Sequence, residues 1–163
     1  VYQLKGRPRD KALNLNVATL EDIFRFSKHQ PVYLKKLVET FLPGPLTIIL
    51  EANEKVPCWV NSDLNTVGFR MPSHPITLEL IRECGPLIGP SANISGCKSG
   101  LNFKQILEDF DREVFGLEDD GFLTGQDSTI LDLTGKKVKI LRQGSITQED
   151  ILTKIPEIPF EEV

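Results

Sequence analysis

The chain has 163 residues, 40% hydrophobic and 26% charged, with 23 acidic against 19 basic side chains and a formal net charge of -4. That length and composition describe one globular domain and exclude an intrinsically disordered chain. The net negative charge excludes a general polyanion binder, so a phosphate-rich ligand would have to be held by a few cations focused in one cleft.

Three cysteines, Cys58, Cys84 and Cys97, are odd in number and form no Cys-x-x-Cys pair, which predicts reduced thiols and a cytoplasmic setting. With only His29 and His74 besides, a zinc site of the usual kind is not expected. The longest apolar stretch, Leu46 to Leu50 with Thr47 inside it, falls far short of the roughly 20 residues of a bilayer span. Neither a membrane segment nor a signal peptide is expected.

In chain order, Val1 to Lys5 reads as the last turn of a helix stopped by Gly6 and Pro8, with its beginning expected in a missing upstream segment. Leu13, Leu15 and Val17 alternate with Asn14 and Asn16, the period of a half-buried strand. Thr19 and Asp22 form a capping box for a helix through Phe26. Pro31 suits the first turn of another helix, with Leu34, Leu37, Val38 and Phe41 on one stripe, ended by Pro43-Gly44-Pro45. Leu46 to Leu50, Val56 to Val60 and Thr66 to Met71 read as strands. Cys58 beside Trp59 reads as core.

Pro75 starts a helix that runs to Cys84 and stops at Gly85-Pro86, and Pro86 to Gly89 has the length of a short buried strand. A helix over Asn102 to Phe110, strands near Thr129 to Leu133 and Lys137 to Leu141, and a Thr147-capped helix to Lys154 follow. Glu118-Asp119-Asp120 reads as a solvated turn. The fold class is therefore α/β or α+β, one domain over residues 1–154 with a surface tail over 155–163.

Four cations in this acidic chain stand in short motifs: Lys5 and Arg7 in Lys5-Gly6-Arg7-Pro8, Arg70 after Thr66-Val67-Gly68-Phe69, and Arg142 before Gln143-Gly144. If extended, Lys5 and Arg7 point the same way and can grip adjacent phosphates; equally, cations after a helix end complement its dipole. Arg70 shares a strand face with Gly68 and Thr66, either as an anion site or as an exposed face. Ser91-Ala92-Asn93-Ile94-Ser95-Gly96 follows a predicted strand, where α/β ligands settle, although the same residues suit a plain turn. There is no Gly-x-x-x-x-Gly-Lys-Ser/Thr loop, no nucleophile-base motif and no standout carboxylate pair, which leaves an anion or nucleotide site.

Six segments in order resemble the signature series of the YrdC-like domain found in threonylcarbamoyl-AMP synthases. They are Lys5-Gly6-Arg7-Pro8, Pro43-Gly44-Pro45-Leu46-Thr47, Thr66 to Pro72, Pro90 to Gly96, Ser128-Thr129-Ile130-Leu131-Asp132 and Ile140 to Gly144. The resemblance covers residues 1 to about 150. It implies an open twisted mixed sheet with flanking helices around a positively charged cavity. The implied reaction makes threonylcarbamoyl-adenylate and pyrophosphate from L-threonine, bicarbonate and ATP, with magnesium accompanying the ATP, for the threonylcarbamoyladenosine modification of tRNA.

By position, the resemblance implies ATP contacts at Lys5, Arg7, Lys11, Thr66, Asn93 and Arg142, with Lys5 and Arg7 stabilising charge in the reaction. It implies threonine contacts at Asn16, Arg70, Ser91 and Ser128, no nucleophile, and no metal ligand from the protein. Lys11 stands where the family often has Asn, and Asn16 where it often has His. The family's Thr-x-Thr-Val-Tyr-Gly-Leu segment is not matched, so this chain is expected to be an incomplete domain with little activity by itself. Two alternatives remain at this stage: a non-catalytic RNA-binding module of the same fold, and the carbamoyl-AMP-forming domain of a carbamoyltransferase. RNA and other tRNA-modification proteins are the implied macromolecular partners.

Overall fold

The computed structural model describes residues 1–98, 100, 102–112, 114–119 and 127–161. Asp120 of the expected acidic turn and Glu162 and Val163 of the expected tail lie outside them. In chain order the elements are α1 (Tyr2–Lys5), β1 (Asn14–Asn16), α2 (Leu20–Phe26), β2 (Ser27–Lys28), α3 (Leu34–Phe41), β3 (Leu46–Ala52) and α4 (Cys58–Asn61). They continue with β4 (Thr66–Arg70), α5 (Pro75–Cys84), β5 (Leu87–Ile88), α6 (Phe103–Asp109), β6 (Thr129–Asp132), β7 (Lys139–Arg142) and α7 (Gln148–Lys154). The chain groups into two compact units, one of residues 1–11 with the described part of 90–125, the other of residues 12–89 with 127–161. No helix among the described residues is long and apolar enough to cross a membrane.

The larger unit carries a seven-stranded mixed sheet in the order β5-β1-β4-β3-β6-β7, with β2 paired to the far end of β3. Strand alternation sorts its side chains into two sets of cross-strand rows. One row runs Ile88, Leu15, Phe69, Ile48, Leu131, Ile140. Its four central members are buried, Phe69, Ile48 and Leu131 completely, so this face is core. The row on the opposite face runs Leu87, Asn16, Arg70, Thr47, Ile130, Arg142. A hydrophobic sheet face demands cover, and α2, α3, α5 and α7 bring buried Ile23, Leu34, Leu37, Val38, Leu78, Ile81 and Ile151 to the same core. Capping boxes at Thr19 and Thr147 start α2 and α7 as their sequences dictate.

Several expectations change. Val56 to Val60 is not a strand: Pro57 leads into the helical turn α4, and Val56 and Val60 are both buried at the four-residue spacing of a helix. Cys58 and Trp59 consequently face solvent, not the core, with Trp59 54% exposed. α3 begins at Leu34, since Pro31 serves only a preceding turn through its carbonyl. β5 is half-buried, being the last strand of the sheet path. Residues 155–161 are partly interior: Ile155 and Ile158 are buried, and Val138 both donates to the Pro159 carbonyl and accepts from the Glu161 amide.

The smaller unit holds α1, the loop after Pro90 and α6, which Asn102 caps by accepting from the Gln105 amide. Leu4, Pro90, Phe103, Ile106 and Phe110 are among the residues lining a largely apolar cavity of about 350 Å³ in this unit.

Candidate functional site

The candidate residues divide between the units: Lys5, Arg7, Lys11, Ser91 and Asn93 in the smaller, Asn16, Thr66, Arg70, Ser128 and Arg142 in the larger. In the smaller unit, α1 ends at Lys5 because Gly6 adopts a left-handed conformation (φ 59°), letting the Gly6 and Arg7 amides close onto the Gln3 and Tyr2 carbonyls. Lys5 and Arg7 therefore do not lie on one extended strand. Lys5 is only 4% exposed. Its ammonium donates to the Ser91 carbonyl at 2.5 Å, to the Asn93 carbonyl, and to Asn93 Oδ1 at 3.2 Å.

Three bonds match the donor capacity of an ammonium, so Lys5 pins the loop and offers a bound anion mainly its charge. Burial, and then the charge of Arg7, lower its pKa from the ordinary lysine value. The loop is further fixed by Ser91 Oγ donating to Asn93 Oδ1 at 2.6 Å and by Asn93 Nδ2 donating to the Cys97 carbonyl at 2.6 Å. Half-buried Arg7 donates through Nε to the Lys11 carbonyl at 3.1 Å, and the Lys11 side chain is exposed.

In the larger unit the polar row brings Asn16, Arg70, Thr47 and Arg142 into line across five strands, with Ile130 between the last two. Thr66, half-buried at the start of β4, shares the face of Arg70 by alternation. Arg142 reaches this row through a bulge: Leu131 pairs with Ile140 but Ile130 pairs with Arg142, so Leu141 is skipped. An unbulged ladder would set Leu141 opposite Ile130 and turn Arg142 to the other face. Its guanidinium then donates from Nε to the Ser128 carbonyl and from Nη2 to Ser128 Oγ, both at 3.0 Å, with Asp127 at 3.7 Å from Nη1. Ser128 Oγ also meets buried Thr47 Oγ1 at 3.3 Å. Thr47 escaped the sequence reading, although the buried alternation of Leu46, Ile48 and Leu50 places it on the opposite, polar face.

Two buried side-chain atoms among the described residues lack any partner, Arg70 Nε and Asn16 Oδ1. They belong to directly paired residues of adjacent strands. A buried unpaired donor or acceptor costs about 1–3 kcal/mol, and two side by side, one of each kind, form a cradle for a group that both accepts and donates. Burial, and then repulsion from Arg142, lower the Arg70 pKa, with Asp127 acting in the opposite sense. Two neighbouring guanidiniums facing one exposed carboxylate leave this face in need of an anion. Glycines make the room: a Cβ on Gly68 would fall 2.2 Å from Asn14 Oδ1, and one on Gly89 2.0 Å from Asn16 Nδ2.

The chain is 38% identical over 160 residues to the threonylcarbamoyl-AMP synthase of Pyrococcus abyssi, covering 97% of this chain and 47% of that protein. It is 37% identical over 154 residues to that of Bacillus subtilis, covering 93% and 44%. The chain thus spans about half the length of these curated relatives. Its structure matches that of P. abyssi Sua5 complexed with L-threonine at a TM-score of 0.87 and 36% identity, covering 98% of this chain and 48% of that one. The model of the Sua5/YciO/YrdC family, described as telomere recombination, matches residues 1–144. Motif order, sheet and family match agree, and the chain belongs to the Sua5/YciO/YrdC family.

Proposed function

We propose that this chain supplies the substrate-binding residues of a threonylcarbamoyl-AMP synthase, which condenses L-threonine, bicarbonate and ATP for the threonylcarbamoyladenosine modification of tRNA. The observation that carries this reading is the paired cradle of Arg70 Nε and Asn16 Oδ1. A free amino acid presents a carboxylate to accept from a guanidinium and an amine to donate to an amide oxygen, and the planar guanidinium suits the carboxylate. Arg70 binds the carboxylate, Ser128 adds a hydroxyl, and Asn16 orients the amine. The naming of homologues at 37–38% identity as threonylcarbamoyl-AMP synthases favours L-threonine as the amino acid.

The amine and bicarbonate combine, with loss of water, into a carbamate. A carbamate oxygen then forms a bond to the α-phosphorus of ATP as the bond to the pyrophosphate leaving group breaks. No protein nucleophile is needed, so the chain's work is positioning and charge stabilisation. In the smaller unit Arg7, Lys11 and Asn93 contact the nucleotide, while Lys5 contributes charge and holds the loop carrying Ser91 and Asn93. Ser91, expected at the amino acid, bonds within the Lys5-Asn93 cluster through both its carbonyl and its hydroxyl. Arg142 acts on the amino-acid side through Ser128. Magnesium enters as part of the Mg-ATP substrate.

The test is pyrophosphate release in the presence of ATP, magnesium, bicarbonate and L-threonine, with each omitted in turn. The proposal expects release to stop without threonine or bicarbonate, and in Arg70→Ala. Release indifferent to threonine would overturn it.

A further inference from the structure

The hydroxyl of Ser128 stands in a hydrogen-bond chain whose direction can be worked out by counting protons. Arginine only donates, so Ser128 Oγ accepts from Arg142 Nη2 at 3.0 Å. Thr47 is 2% exposed, and its Oγ1 lies 3.3 Å from Ser128 Oγ, its one hydrogen-bond partner among the described residues. Ser128 is itself only 5% exposed, so whichever of the two donates, the other's buried proton lacks a protein partner, at about 1–3 kcal/mol, and a ligand acceptor beside Ser128 tips the pair toward Thr47 as donor. If Thr47 donates, both lone pairs of Ser128 Oγ are filled and the Ser128 proton is free for a third partner. Alternation places Ser128 on the face of Ile130, the face that also carries Thr47, Arg70 and Asn16.

We propose that Thr47 is a specificity-determining positioning residue: with Arg142 it saturates the acceptor sites of Ser128 Oγ and locks that hydroxyl as a donor toward the ligand carboxylate. This rests on reading the Arg70 face as the amino-acid site. A hydroxyl locked as donor accepts nothing, so it favours a carboxylate over a carboxamide, whose NH₂ has no use for it. Threonine at position 47 also fits sterically, its Cγ2 lying 3.6 Å from where a Cβ on Gly68 would stand. Valine keeps that methyl and deletes the hydroxyl.

The experiment is calorimetric titration of L-threonine and L-threoninamide into the wild-type chain, Thr47→Val, Thr47→Ser, Ser128→Ala and Arg70→Ala, with thermal unfolding of each. In Thr47→Val the preference for threonine over threoninamide falls by about threefold to tenfold, the worth of one neutral hydrogen bond. Thr47→Ser restores the preference, which a mere packing role would not require. In a Ser128→Ala background, Thr47→Val causes no further change in the ratio. An unchanged ratio in Thr47→Val, with threonine binding lost in Arg70→Ala, overturns the role of Thr47 alone. Threonine binding that survives Arg70→Ala overturns the amino-acid site itself. Should Thr47→Val unfold, Thr47→Ser compared with Ser128→Ala decides: a ratio in Thr47→Ser that matches Ser128→Ala instead of the wild type refutes the lock.

Discussion

Gly89→Ala tests the shape of the cradle without substituting any residue that contacts ligand. Gly89 does not occupy the left-handed region, so alanine is compatible with its backbone, and its amide bond to the Asn14 carbonyl at 3.2 Å can persist. The added methyl would lie 2.0 Å from Asn16 Nδ2, 2.4 Å from Cγ and 2.6 Å from Oδ1. Ordinary contact begins near 3.5 Å, so the amide must withdraw by about 1 to 1.5 Å. Asn16 is half-buried and meets the methyl with the end of its side chain, so stability falls by about 0.5–1.5 kcal/mol, the cost of an off-rotamer torsion. Ligand affinity suffers more, because the amine loses a charge-assisted bond worth about 1.5–3 kcal/mol. That corresponds to roughly 10- to 150-fold weaker binding of L-threonine by calorimetry. In Asn16→Ala the added methyl meets no amide, so Gly89→Ala in that background should leave both melting temperature and affinity unmoved. An L-threonine affinity within about threefold of wild type in Gly89→Ala would refute the contact between Asn16 and the amine.

Arg7→Ala should weaken ATP binding by about 1.5–3 kcal/mol while leaving L-threonine binding intact, measured by calorimetry with each ligand alone. Unchanged ATP affinity contradicts the nucleotide assignment of the smaller unit. Lys5 has a folded pKa below its ordinary 10.5, so its charge penalty is full below the folded value and fades as pH rises from there to 10.5. Wild type should therefore gain stability relative to Lys5→Met across that window in denaturant titrations, and a flat or falling difference contradicts the burial argument. Thr19→Ala and Thr147→Ala each break a capping box and should each lower stability by about 1 kcal/mol, or 2–4 °C in melting temperature, with no change in ligand affinity.

What the sequence made legible was local. Both capping boxes depend on residues three apart, and the alternation of Leu13, Leu15 and Val17 identifies β1 and assigns Asn14 and Asn16 to its polar face. The same logic found Arg70, Gly68 and Thr66 together. Short apolar runs were ambiguous: Val56 to Val60 fits a strand by composition, yet Pro57 and the burial of residues four apart make it a helical turn. β2 is two residues with no pattern of its own, created by pairing with Glu51 and Ala52. Register was the larger loss. The skipped Leu141 is a property of two strands together, and without it nothing in Leu141-Arg142-Gln143-Gly144 says that Arg142 bonds Ser128 instead of standing free for phosphate. The helix end expected at Gly6 is present, and its left-handed Gly6 rules out the extended alternative in which Lys5 and Arg7 would point the same way.

The central claim is that Arg70 Nε, unpartnered and buried beside Asn16, receives the carboxylate of L-threonine. Nitrogen-15 NMR of the arginine side chains observes that atom directly. On titration with L-threonine, the account predicts that the Nε–H resonance lost in Arg70→Lys moves downfield and becomes protected from exchange, while L-threoninol, lacking the carboxylate, leaves it in place. A resonance that stays put at saturating threonine, or moves equally with threoninol, would contradict it.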